Sequence, residues 1–378
     1  MSYKKESIDL HRKKRGKIEI KPKISLKRRH DLCLAYTPGV AEVCQAIKDD
    51  IKQTWKLTNR ANTVAIVSDG SAILGLGNIG PEAGMPVMEG KSVLFKKFAG
   101  IDAYPLCISS SGVKEVVQFC RSIAPSVAGI NLEDISAPNC FEVLETLEKE
   151  LDIPVFHDDQ DGTAIATLAA LINACKVTNK RIKDLKVVVN GAGAAGIAIA
   201  RLLLNYGVKD LKLLDSVGLI NNHRKDLNRF KQEFINTTNK GNIQGRLEEA
   251  LPGTDVFIGV SQANILTEEM IDSMNPEPII FAMANPAPEI CPKKARKTKA
   301  SVVGTGNSDC PNQINNALVF PGIFRGLLDA KVMTVTPEIK IKAALALSKC
   351  LKKPHRNKIL PRVTDTSVVK AIARQVRN

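Results

Sequence analysis

Aromatic side chains are scarce in this sequence: Phe, Tyr and Trp make up 4% of its 378 residues, and only one residue is Trp. Proteins that bind single-stranded nucleic acid stack bases on aromatic side chains, so no such platform is predicted. Apolar runs are short, and none approaches the roughly 20 residues of a membrane-spanning helix. The N-terminus is basic and lacks the apolar segment of a signal peptide. We therefore expect a cytoplasmic protein without a membrane partner.

Paired cysteines are absent as well. The nine cysteines include no Cys-x-x-Cys motif, and their spacing is irregular. This pattern indicates neither a disulfide framework nor a zinc site. We expect reduced and mostly buried thiols, because a free cysteine usually behaves as a small apolar residue.

Acidic residues are few at the two ends of the chain. The net charge is +15, of which residues 1–30 contribute +9 and residues 331–378 contribute +10, so the 300 residues between them carry −4. A strongly basic chain raises nucleic acid as a partner. Because the excess is confined to the ends, we expect solvated basic termini and no nucleic-acid partner. A basic nucleic-acid-binding protein is the alternative from another functional class.

Strand-like and helical patterns alternate along most of the chain. Residues 1–60 are typical of helices, and short β-branched runs separated by helical segments begin at Thr63. Such alternation favours parallel sheets with crossover helices. A chain of 378 residues also exceeds one compact core. We therefore predict a two-domain α/β protein with helical terminal arms, in which residues 1–160 form one α/β domain and residues 161–378 form a Rossmann-type domain.

A glycine-rich loop follows the apolar run KVVV near the start of the second half. Its residues are Gly191, Ala192, Gly193, Ala194, Ala195 and Gly196. In a Gly-x-Gly-x-x-Gly loop the first glycine permits a tight turn, the second lets the backbone approach a pyrophosphate, and the third lets the helix pack on the strand. Asp215 ends the next strand, where a carboxylate accepts hydrogen bonds from the adenosine ribose. The pattern predicts a dinucleotide site.

A second Gly-x-Gly-x-x-Gly motif occurs at Gly75, Gly77 and Gly80. It also follows a strand-like run, but the next segment, PEAGMPVMEG, contains two prolines and two further glycines. Because both residue types are unfavourable inside helices, we expect no long helix there. The motif at 75–80 is therefore rejected as the dinucleotide site.

The residues around Asp215 bear on the choice of dinucleotide. A carboxylate at this position repels a 2′-phosphate and favours NAD over NADP. Ser216 and Val217 provide no cation, whereas Arg224 and Lys225 are close enough in sequence to weaken the preference. We predict NAD as the cofactor, with NADP as the alternative.

Four acidic residues follow two strand patterns. Glu133 and Asp134 end VAGINLED, and Asp158 and Asp159 end IPVFHDD. The carboxyl ends of parallel strands open on one crevice, where such side chains can converge. Several carboxylates without a Cys partner suit Mg²⁺ or Mn²⁺. Helix capping explains the same positions equally well, because helical patterns follow both pairs. The neighbouring His157 is expected to be a hydrogen-bonded structural residue rather than a ligand.

Several longer segments resemble one enzyme family, the malic enzymes, and look most like its short bacterial form. In chain order they are YTPGVAEVC (36–44), SDGSAILGLGNIGPEAGMPVMEGK (68–91), GINLEDISAPNCF (129–141), PVFHDDQDGTAI (154–165), VVNGAGAAG (188–196), ANPAPEI (284–290) and NQINNALVFPGIFRG (312–326). The resemblance implies a metal-dependent oxidoreductase that decarboxylates L-malate to pyruvate.

The resemblance also assigns roles that residue type alone does not. It implies that Lys91 is the base that takes the proton of the malate 2-hydroxyl, and that Tyr36 donates a proton to C3 of enolpyruvate. Glu133, Asp134 and Asp159 would hold the Mg²⁺ or Mn²⁺ ion. A lysine needs a lowered pKa to act as a base near neutral pH, so burial or a nearby cation must lower it.

Further positions follow from the same resemblance. Asn285 and Asn315 match residues that hold the nicotinamide end of the cofactor or the malate carboxylates, and Asn316 is a less definite neighbour of that site. Asp158 is expected beside the metal rather than on it. A homodimer with the N-terminal helices in the contact is also implied.

One residue departs from the family pattern. Position 161, in HDDQDGTA, is Asp where relatives carry an uncharged residue or His. We expect this carboxylate to cap the following helix. The chain ends at residue 378, which we expect to leave no room for the phosphotransacetylase-like domain of some bacterial relatives. Another two-domain NAD-dependent dehydrogenase, which needs no metal and releases no CO₂, is the alternative enzyme.

Overall fold

Two parallel β-sheets organise the part of the chain that the computed structural model describes, residues 3–110 and 112–377. The first sheet contains β1 (Thr63–Ser68), β2 (Asp102–Cys107), β3 (Gly129–Leu132) and β4 (Val155–His157). The second contains β5 (Lys186–Asn190), β6 (Asp210–Leu214), β7 (Val256–Gly259), β8 (Ile279–Ala282) and β9 (Val302–Thr305). The strand orders are β2-β1-β3-β4 and β6-β5-β7-β8-β9. The predicted α/β class with parallel sheets is confirmed.

Helices surround the two sheets and form both ends of the chain. The N-terminal arm consists of α1 (Tyr3–Lys14), α2 (Arg29–Ala35), α3 (Val40–Asp49) and α4 (Thr54–Leu57). Three helices alternate with the strands of the first sheet, and a fourth follows its last strand. They are α5 (Pro81–Leu94), α6 (Val113–Ile123), α7 (Asn139–Glu150) and α8 (Thr163–Thr178). The second half adds α9 (Ala194–Tyr206), α10 (Arg229–Gln232), α11 (Leu247–Ala250), α12 (Glu268–Asp272) and α13 (Pro292–Ala295). The C-terminal helices are α14 (Phe320–Ala330), α15 (Pro337–Lys349) and α16 (Ser367–Arg377).

Most strands of both sheets are apolar because both faces of a parallel sheet are covered, whereas the edge strands β2 and β6 are partly exposed. All six residues of β1, TVAIVS, are buried. The helix α8 is buried almost all round, with thirteen of its sixteen residues inside the protein. Its many alanines let neighbouring elements approach closely. Within the described residues, none of the helices has the length and apolar character of a membrane span.

The prediction that PEAGMPVMEG starts no long helix is wrong, because α5 spans fourteen residues there. Pro81 lies in the first turn, where its missing N–H costs no hydrogen bond. Pro86 removes one bond inside the helix. Gly84 packs so closely on Ile73 that an added Cβ would lie 2.8 Å from the Ile73 Cδ1 atom. Tertiary packing of α5 against the sheet therefore outweighs its weak intrinsic propensity.

The two halves of the chain share apolar contacts. Phe320 and Phe324 of α14 pack on Phe95, with ring centroids 4.7 Å and 5.3 Å from it. Phe324 also meets Phe156 of β4 at 5.9 Å. The boundary predicted between residues 160 and 161 lies in a π-helical turn, Asp158–Gly162, that joins β4 to α8. Because α14 returns to the first sheet, the division into two domains by residue number stays a prediction.

All nine cysteines are free, as expected. The expectation that most of them are buried is wrong, since the buried ones are Cys120, Cys140 and Cys175. The other six are half-buried or exposed.

Candidate active site

Acidic side chains meet at the carboxyl ends of β3 and β4, which are neighbours in the first sheet. One ligand oxygen from each of Glu133, Asp134 and Asp159 lies within 4.8 Å of the others. Glu133 and Asp134 are 3% and 5% exposed. The predicted convergence of these carboxylates is therefore confirmed. Their role as metal ligands stays a prediction.

Side-chain capping bonds do not explain these acids, although Asp159 lies in the first turn of the π-helical segment Asp158–Gly162, where the helix N-terminus favours an acid. The N-cap of α7 is Pro138, well beyond Glu133 and Asp134, and the N-cap of α8 is Gly162. Neither Pro138 nor Gly162 accepts a capping hydrogen bond with its side chain. Asp134 instead has a left-handed backbone, with φ of 52°, and its N–H donates to Asp159 Oδ2 at 2.8 Å. This hydrogen bond ties the end of β3 to the turn that follows β4.

Burial of several carboxylates in one place shifts their titration. Burial, followed by the charge of Asp159, raises the pKa of Glu133 well above its usual range. The same two effects raise the pKa of Asp134 to about 7. The Oδ2 atom of Asp134 is buried and has no hydrogen-bond partner in the described part of the chain. Carboxylates that repel one another, one of them with a buried oxygen that lacks a donor, fit a hard divalent cation.

Lys91 lies on α5 and contacts this acidic cluster. Its Nζ atom is 2.8 Å from Glu133 Oε1 and forms a second, shorter ion pair with Asp158 Oδ2. The ring of Phe320 covers the ammonium group at 4.4 Å. Burial is the largest effect on Lys91 and acts to lower its pKa, but Asp158, Glu133 and Asp159 together raise the pKa above the usual value. In this arrangement Lys91 is held protonated.

The two neighbouring acids of the turn Asp158–Gly162 differ in their contacts. Asp158 is fully buried and pairs with Lys91, and its expected place beside the metal rather than on it stays a prediction. Burial raises the pKa of Asp158 to about 6, against the opposing effect of Lys91. Gly162 is required here, since an added Cβ would lie 1.8 Å from Asp158 Oδ1.

Two expectations about this segment are wrong. Asp161 does not cap α8: its Oδ1 atom accepts a hydrogen bond from Lys340 Nζ at 2.7 Å, and its Oδ2 atom has no partner among the described residues. His157 is fully buried, yet neither of its ring nitrogens is hydrogen-bonded in the described part of the chain. Burial lowers the pKa of His157, which favours the neutral ring.

In the described part of the chain, Tyr36 makes no side-chain hydrogen bond to this acidic cluster. It follows α2 and is 65% exposed, and its hydroxyl has no hydrogen-bond partner among residues 3–110 and 112–377. The surrounding arm exposes further apolar side chains, among them Leu32 at 50% and Leu34 at 64%. The structure of one chain therefore does not bring Tyr36 into contact with Lys91 through any hydrogen bond.

The glycine loop between β5 and α9 has the form predicted for a dinucleotide site. Gly191 has a φ of +114°, and an added Cβ would lie 2.5 Å from the Val260 carbonyl oxygen. A Cβ on Gly196 would lie 1.6 Å from the Gly191 oxygen, whereas Gly193 has open space around it. Ala194 begins α9, so the helix N-terminus faces this space. Gly193 is the position where a pyrophosphate can approach the backbone.

A cavity of about 640 Å³ adjoins the loop and is lined by residues that include Gly191, Gly193 and Asp215. The earlier motif at 75–80 differs, because α5 begins only after its last glycine. Gly75 packs instead against the Asn285 carbonyl, which an added Cβ would approach to 2.2 Å. The expected reason for rejecting that motif, the lack of a long helix after it, is wrong, and its rejection as the dinucleotide site stays a prediction.

The carboxylate of Asp215 is already fully hydrogen-bonded. It accepts bonds from the Val217 and Gly218 amides, two from Arg224 at 3.0 Å each, and one from Lys231 at 2.7 Å. An ionised carboxylate has about four lone-pair sites, so none is left for a ribose hydroxyl without rearrangement. Burial acts to raise the pKa of Asp215, but these bonds hold that pKa below its usual value. Arg224 and Lys231 are the two cations that pair with Asp215, and of these only Arg224 was considered from the sequence.

The asparagines implied by the resemblance lie in a loop and a short turn. Asn285 follows β8 and is exposed, and Asn315 caps a short helical turn by accepting a hydrogen bond from the Ala317 amide at 2.8 Å. Asn316 abuts the turn Asp158–Gly162, since a Cβ on Gly162 would lie 3.1 Å from the Asn316 Cβ.

Models of two protein families match the chain. The model described as malic enzyme, NAD binding domain, matches residues 160–378, and the model described as malic enzyme, N-terminal domain, matches residues 15–111. A bifunctional malic/malolactic enzyme of Bacillus subtilis is 50% identical over 379 residues, covering 100% of this chain and 92% of the relative. An NAD-dependent malic enzyme of Geobacillus stearothermophilus is 50% identical, covering 96% of this chain and 76% of the relative.

Solved structures agree with the sequence comparisons. The NAD-dependent malic enzyme of Thermotoga maritima superposes with a TM-score of 0.95 at 46% identity, covering 98% of this chain and 99% of that one. A malic enzyme of Entamoeba histolytica gives a TM-score of 0.96 at 36% identity, covering 99% and 80%. The family models, the sequence identities and the structural similarity all indicate the same family. The chain belongs to the malic enzyme family.

Proposed function

We propose that the chain catalyses the metal-dependent oxidative decarboxylation of L-malate to pyruvate and CO₂ with reduction of NAD. The observation that carries this proposal is the contact of Lys91 with Glu133, whose carboxylate lies within 4.8 Å of Asp134 and Asp159. A base beside a cation site is what removal of a hydroxyl proton requires. The same arrangement argues against a dehydrogenase that works without metal.

The residues of the first half divide the work at the substrate. Glu133, Asp134 and Asp159 would hold Mg²⁺ or Mn²⁺, which as a Lewis acid stabilises negative charge on the oxygens of malate. Lys91 would take the proton from the 2-hydroxyl as hydride leaves C2. The nearby carboxylates hold the proton on Lys91, so Lys91 becomes a base only when their charge is neutralised.

Tyr36 is proposed as the donor of a proton to C3 of enolpyruvate, after CO₂ has left from C4. This role rests on its place in YTPGVAEVC and on family membership. We further propose a homodimer in which the N-terminal arms make contact. The many exposed apolar side chains of the arm support it, because apolar surface left exposed in one chain is typical of protein–protein contacts. Nine free thiols support a reducing, cytoplasmic location.

For the dinucleotide we propose NAD, with NADP as the alternative in the same cavity. The open space at Gly193 and the N-terminus of α9 fit the pyrophosphate. Asp215 supports NAD, since a carboxylate repels a 2′-phosphate. Arg224 and Lys231 offset that charge and leave room for NADP. Asn285 and Asn315 are proposed to hold the nicotinamide end or the malate carboxylates.

The test is to follow reduction of NAD, and separately of NADP, by L-malate with Mn²⁺, and to measure pyruvate in the same samples. Lactate is measured too, because one relative is named a malic/malolactic enzyme. We expect pyruvate in a one-to-one ratio with reduced cofactor, and no reaction after EDTA treatment. Oxidation that survives EDTA and releases no CO₂ would favour the metal-free dehydrogenase. Folded protein that reduces neither cofactor with metal present would refute the assignment to malate.

A further inference from the structure

Each polar side chain of the turn Asp158–Gly162 has its own anchor elsewhere in the protein. The anchors, in chain order, are Lys91 for Asp158, the Asp134 amide for Asp159, the Cys140 carbonyl for Gln160 and Lys340 for Asp161. The first three lie in the first half of the chain, whereas Lys340 lies in the first turn of α15, one of the C-terminal helices. The turn that carries one of the proposed metal ligands is therefore held on one side by the C-terminal helices.

The contact between Lys340 and Asp161 is largely buried. The two side chains are 18% and 8% exposed, and the Nζ and Oδ1 atoms are 2.7 Å apart. Removing one partner of a buried pair leaves an uncompensated charge, which is strongly destabilising locally. Since Oδ2 of Asp161 has no partner among the described residues, the hydrogen bond from Lys340 to Oδ1 is the contact that compensates this carboxylate.

Apolar packing does not replace this ion pair. A cavity of about 140 Å³ lies between α7, α9, α15 and the turn, and both Asp161 and Lys340 line it. Phe141 and Leu202 lie on other walls of the same cavity. Because the space beside Asp161 is not fully filled by side chains, the ion pair with Lys340 adds an anchor to the packing of the turn against α9.

We propose that Lys340 is a positioning residue for the metal site. Through its ion pair with Asp161 it fixes the turn, and with it the Asp159 carboxylate, at the distance from Glu133 and Asp134 that one shared cation requires. This inference rests on the proposed function, since it takes Asp159 as a ligand. It also gives the departure at position 161 a role in this chain.

A purely electrostatic effect of Lys340 and Asp161 on a bound cation predicts different changes in its affinity from those that a positioning role predicts. Loss of the Lys340 charge removes a repulsion felt by a bound cation and would tighten its binding, whereas loss of the Asp161 charge would weaken it. A positioning role requires both changes to weaken binding, because either one releases the turn. The signs of the two effects therefore separate the explanations.

The experiment measures Mn²⁺ affinity by electron paramagnetic resonance of free Mn²⁺, without malate or dinucleotide. The variants are Lys340→Met, Asp161→Asn and their combination, with Lys340→Arg as the charge-conserving rescue. Lys342→Met is the matched control, since Lys342 is exposed on the same helix. We expect both single variants to weaken Mn²⁺ binding by about tenfold, as is typical for residues that orient metal ligands. The double variant should lose no more than either single one.

Activity supplies a second readout. We expect excess Mn²⁺ to restore most of the kcat of Lys340→Met, because the substitution lowers occupancy of the site and leaves Lys91 in place. Lys340→Arg and Lys342→Met should bind Mn²⁺ like the unaltered protein. NADH binding at the glycine loop and circular dichroism report whether each variant is folded. If Lys340→Met does not fold, Lys340→Gln takes its place, because it also removes the charge and the sign of its effect on Mn²⁺ affinity is compared with that of Asp161→Asn in the same way.

Lys340→Met that binds Mn²⁺ as tightly as the unaltered protein, or more tightly, overturns the positioning role while the proposed function stands. Opposite signs for Lys340→Met and Asp161→Asn do the same. If the unaltered protein itself binds no Mn²⁺, the proposed metal-dependent function fails, and the inference fails with it.

Discussion

Lys91 and Asp158 form an ion pair in which both side chains are buried, at 9% and 0% exposure. Asp158 is the largest of the carboxylate charges that raise the pKa of Lys91. A proposed base and its nearest anion are thus enclosed together next to the proposed metal ligands. This relationship explains why Lys91 alone is not a base, and it leads to the first prediction.

Lys91→Arg should retain the ion pairs and lose the base. Arginine stays protonated in proteins and presents its charge to the same carboxylates. We expect kcat to fall by roughly 10²–10⁴-fold, the usual contribution of general acid–base catalysis. Steady-state kinetics measure the loss, and Mn²⁺ titration and thermal unfolding serve as controls for the site and the fold. A variant that keeps a tenth of the activity would remove Lys91 from the role of base.

Asp159→Asn should abolish the stabilisation by Mn²⁺ without lowering the stability of the metal-free protein. Asp159 raises the pKa of both Glu133 and Asp134, so it is a repulsive neighbour when no cation is present. The amide oxygen introduced by the substitution would still accept the Asp134 N–H. We expect the metal-free variant to melt at the same temperature as the unaltered protein or higher, and to gain no stability from Mn²⁺. Thermal unfolding with EDTA and with Mn²⁺ measures both effects.

The matched substitution Asp152→Asn provides the control, because Asp152 is exposed and follows α7. It should leave the Mn²⁺-dependent rise in melting temperature intact. Retention of that rise in Asp159→Asn would contradict the assignment of Asp159 as a ligand.

Gly193→Ala should weaken dinucleotide binding without harming the fold. Apart from its neighbours in the chain, no atom of the described residues lies within 4 Å of a Cβ at this position, so the melting temperature should be unchanged. The added methyl group occupies the space where a pyrophosphate approaches the loop, and we expect the Kd for NADH to rise by at least about tenfold, or about 1.4 kcal/mol. Fluorescence titration measures the Kd. Gly196→Ala is the contrasting case, since its Cβ would lie 1.6 Å from the Gly191 oxygen and should destabilise the protein itself.

Lys231→Met should shift the choice between the two dinucleotides toward NAD. Lys231 lines the cavity and neutralises Asp215 together with Arg224. Its removal takes away a cation for a 2′-phosphate and uncovers part of the Asp215 charge. We expect the ratio of kcat/KM for NAD to that for NADP to rise about tenfold, which corresponds to about 1.4 kcal/mol. Lys225→Met, at an exposed lysine nearby, should leave the ratio unchanged. An equal loss for both cofactors would show that Lys231 does not discriminate.

Glu148→Gln should change the dependence of stability on pH. Burial raises the pKa of Glu148 to about 7 in the folded protein. An acid whose folded pKa is raised costs stability as pH rises from its unfolded value, about 4.3, to its folded value. Gln does not titrate, so the variant should gain melting temperature relative to the unaltered protein at about pH 8 and show little gain at about pH 4. Thermal unfolding at the two pH values tests this, and a gain that is equal at both would contradict the shift.

Much of the site could be predicted because its residues lie in short, continuous motifs. The loop from Gly191 to Gly196 specifies its own turn, its own helix start and its own space for a phosphate, so local sequence is sufficient. Glu133 and Asp159 were placed at strand ends by their sequence, and parallel pairing of β3 with β4 then brings them together. The period of the strands and the position of the acids are both local properties.

Other features depend on residues far apart in the chain. The helix α5 forms through a sequence with two prolines because Gly84 packs on Ile73 and buries its face on the sheet. The pairing of Asp161 with Lys340 joins residues 179 positions apart, and no local pattern announces it. The saturation of Asp215 likewise requires Lys231 to fold back onto the end of β6.

The sequence by itself determined the parallel α/β class, the dinucleotide loop and which acids lie at one edge of the first sheet. These follow from periodicity and from backbone requirements of single residues, which are written in neighbouring positions. Only the tertiary structure decided the protonation state of Lys91, the partners of Asp161 and Asp215, and the exposure of Tyr36. Each of these depends on burial and on charges contributed by distant segments, and both are set by packing of the whole chain.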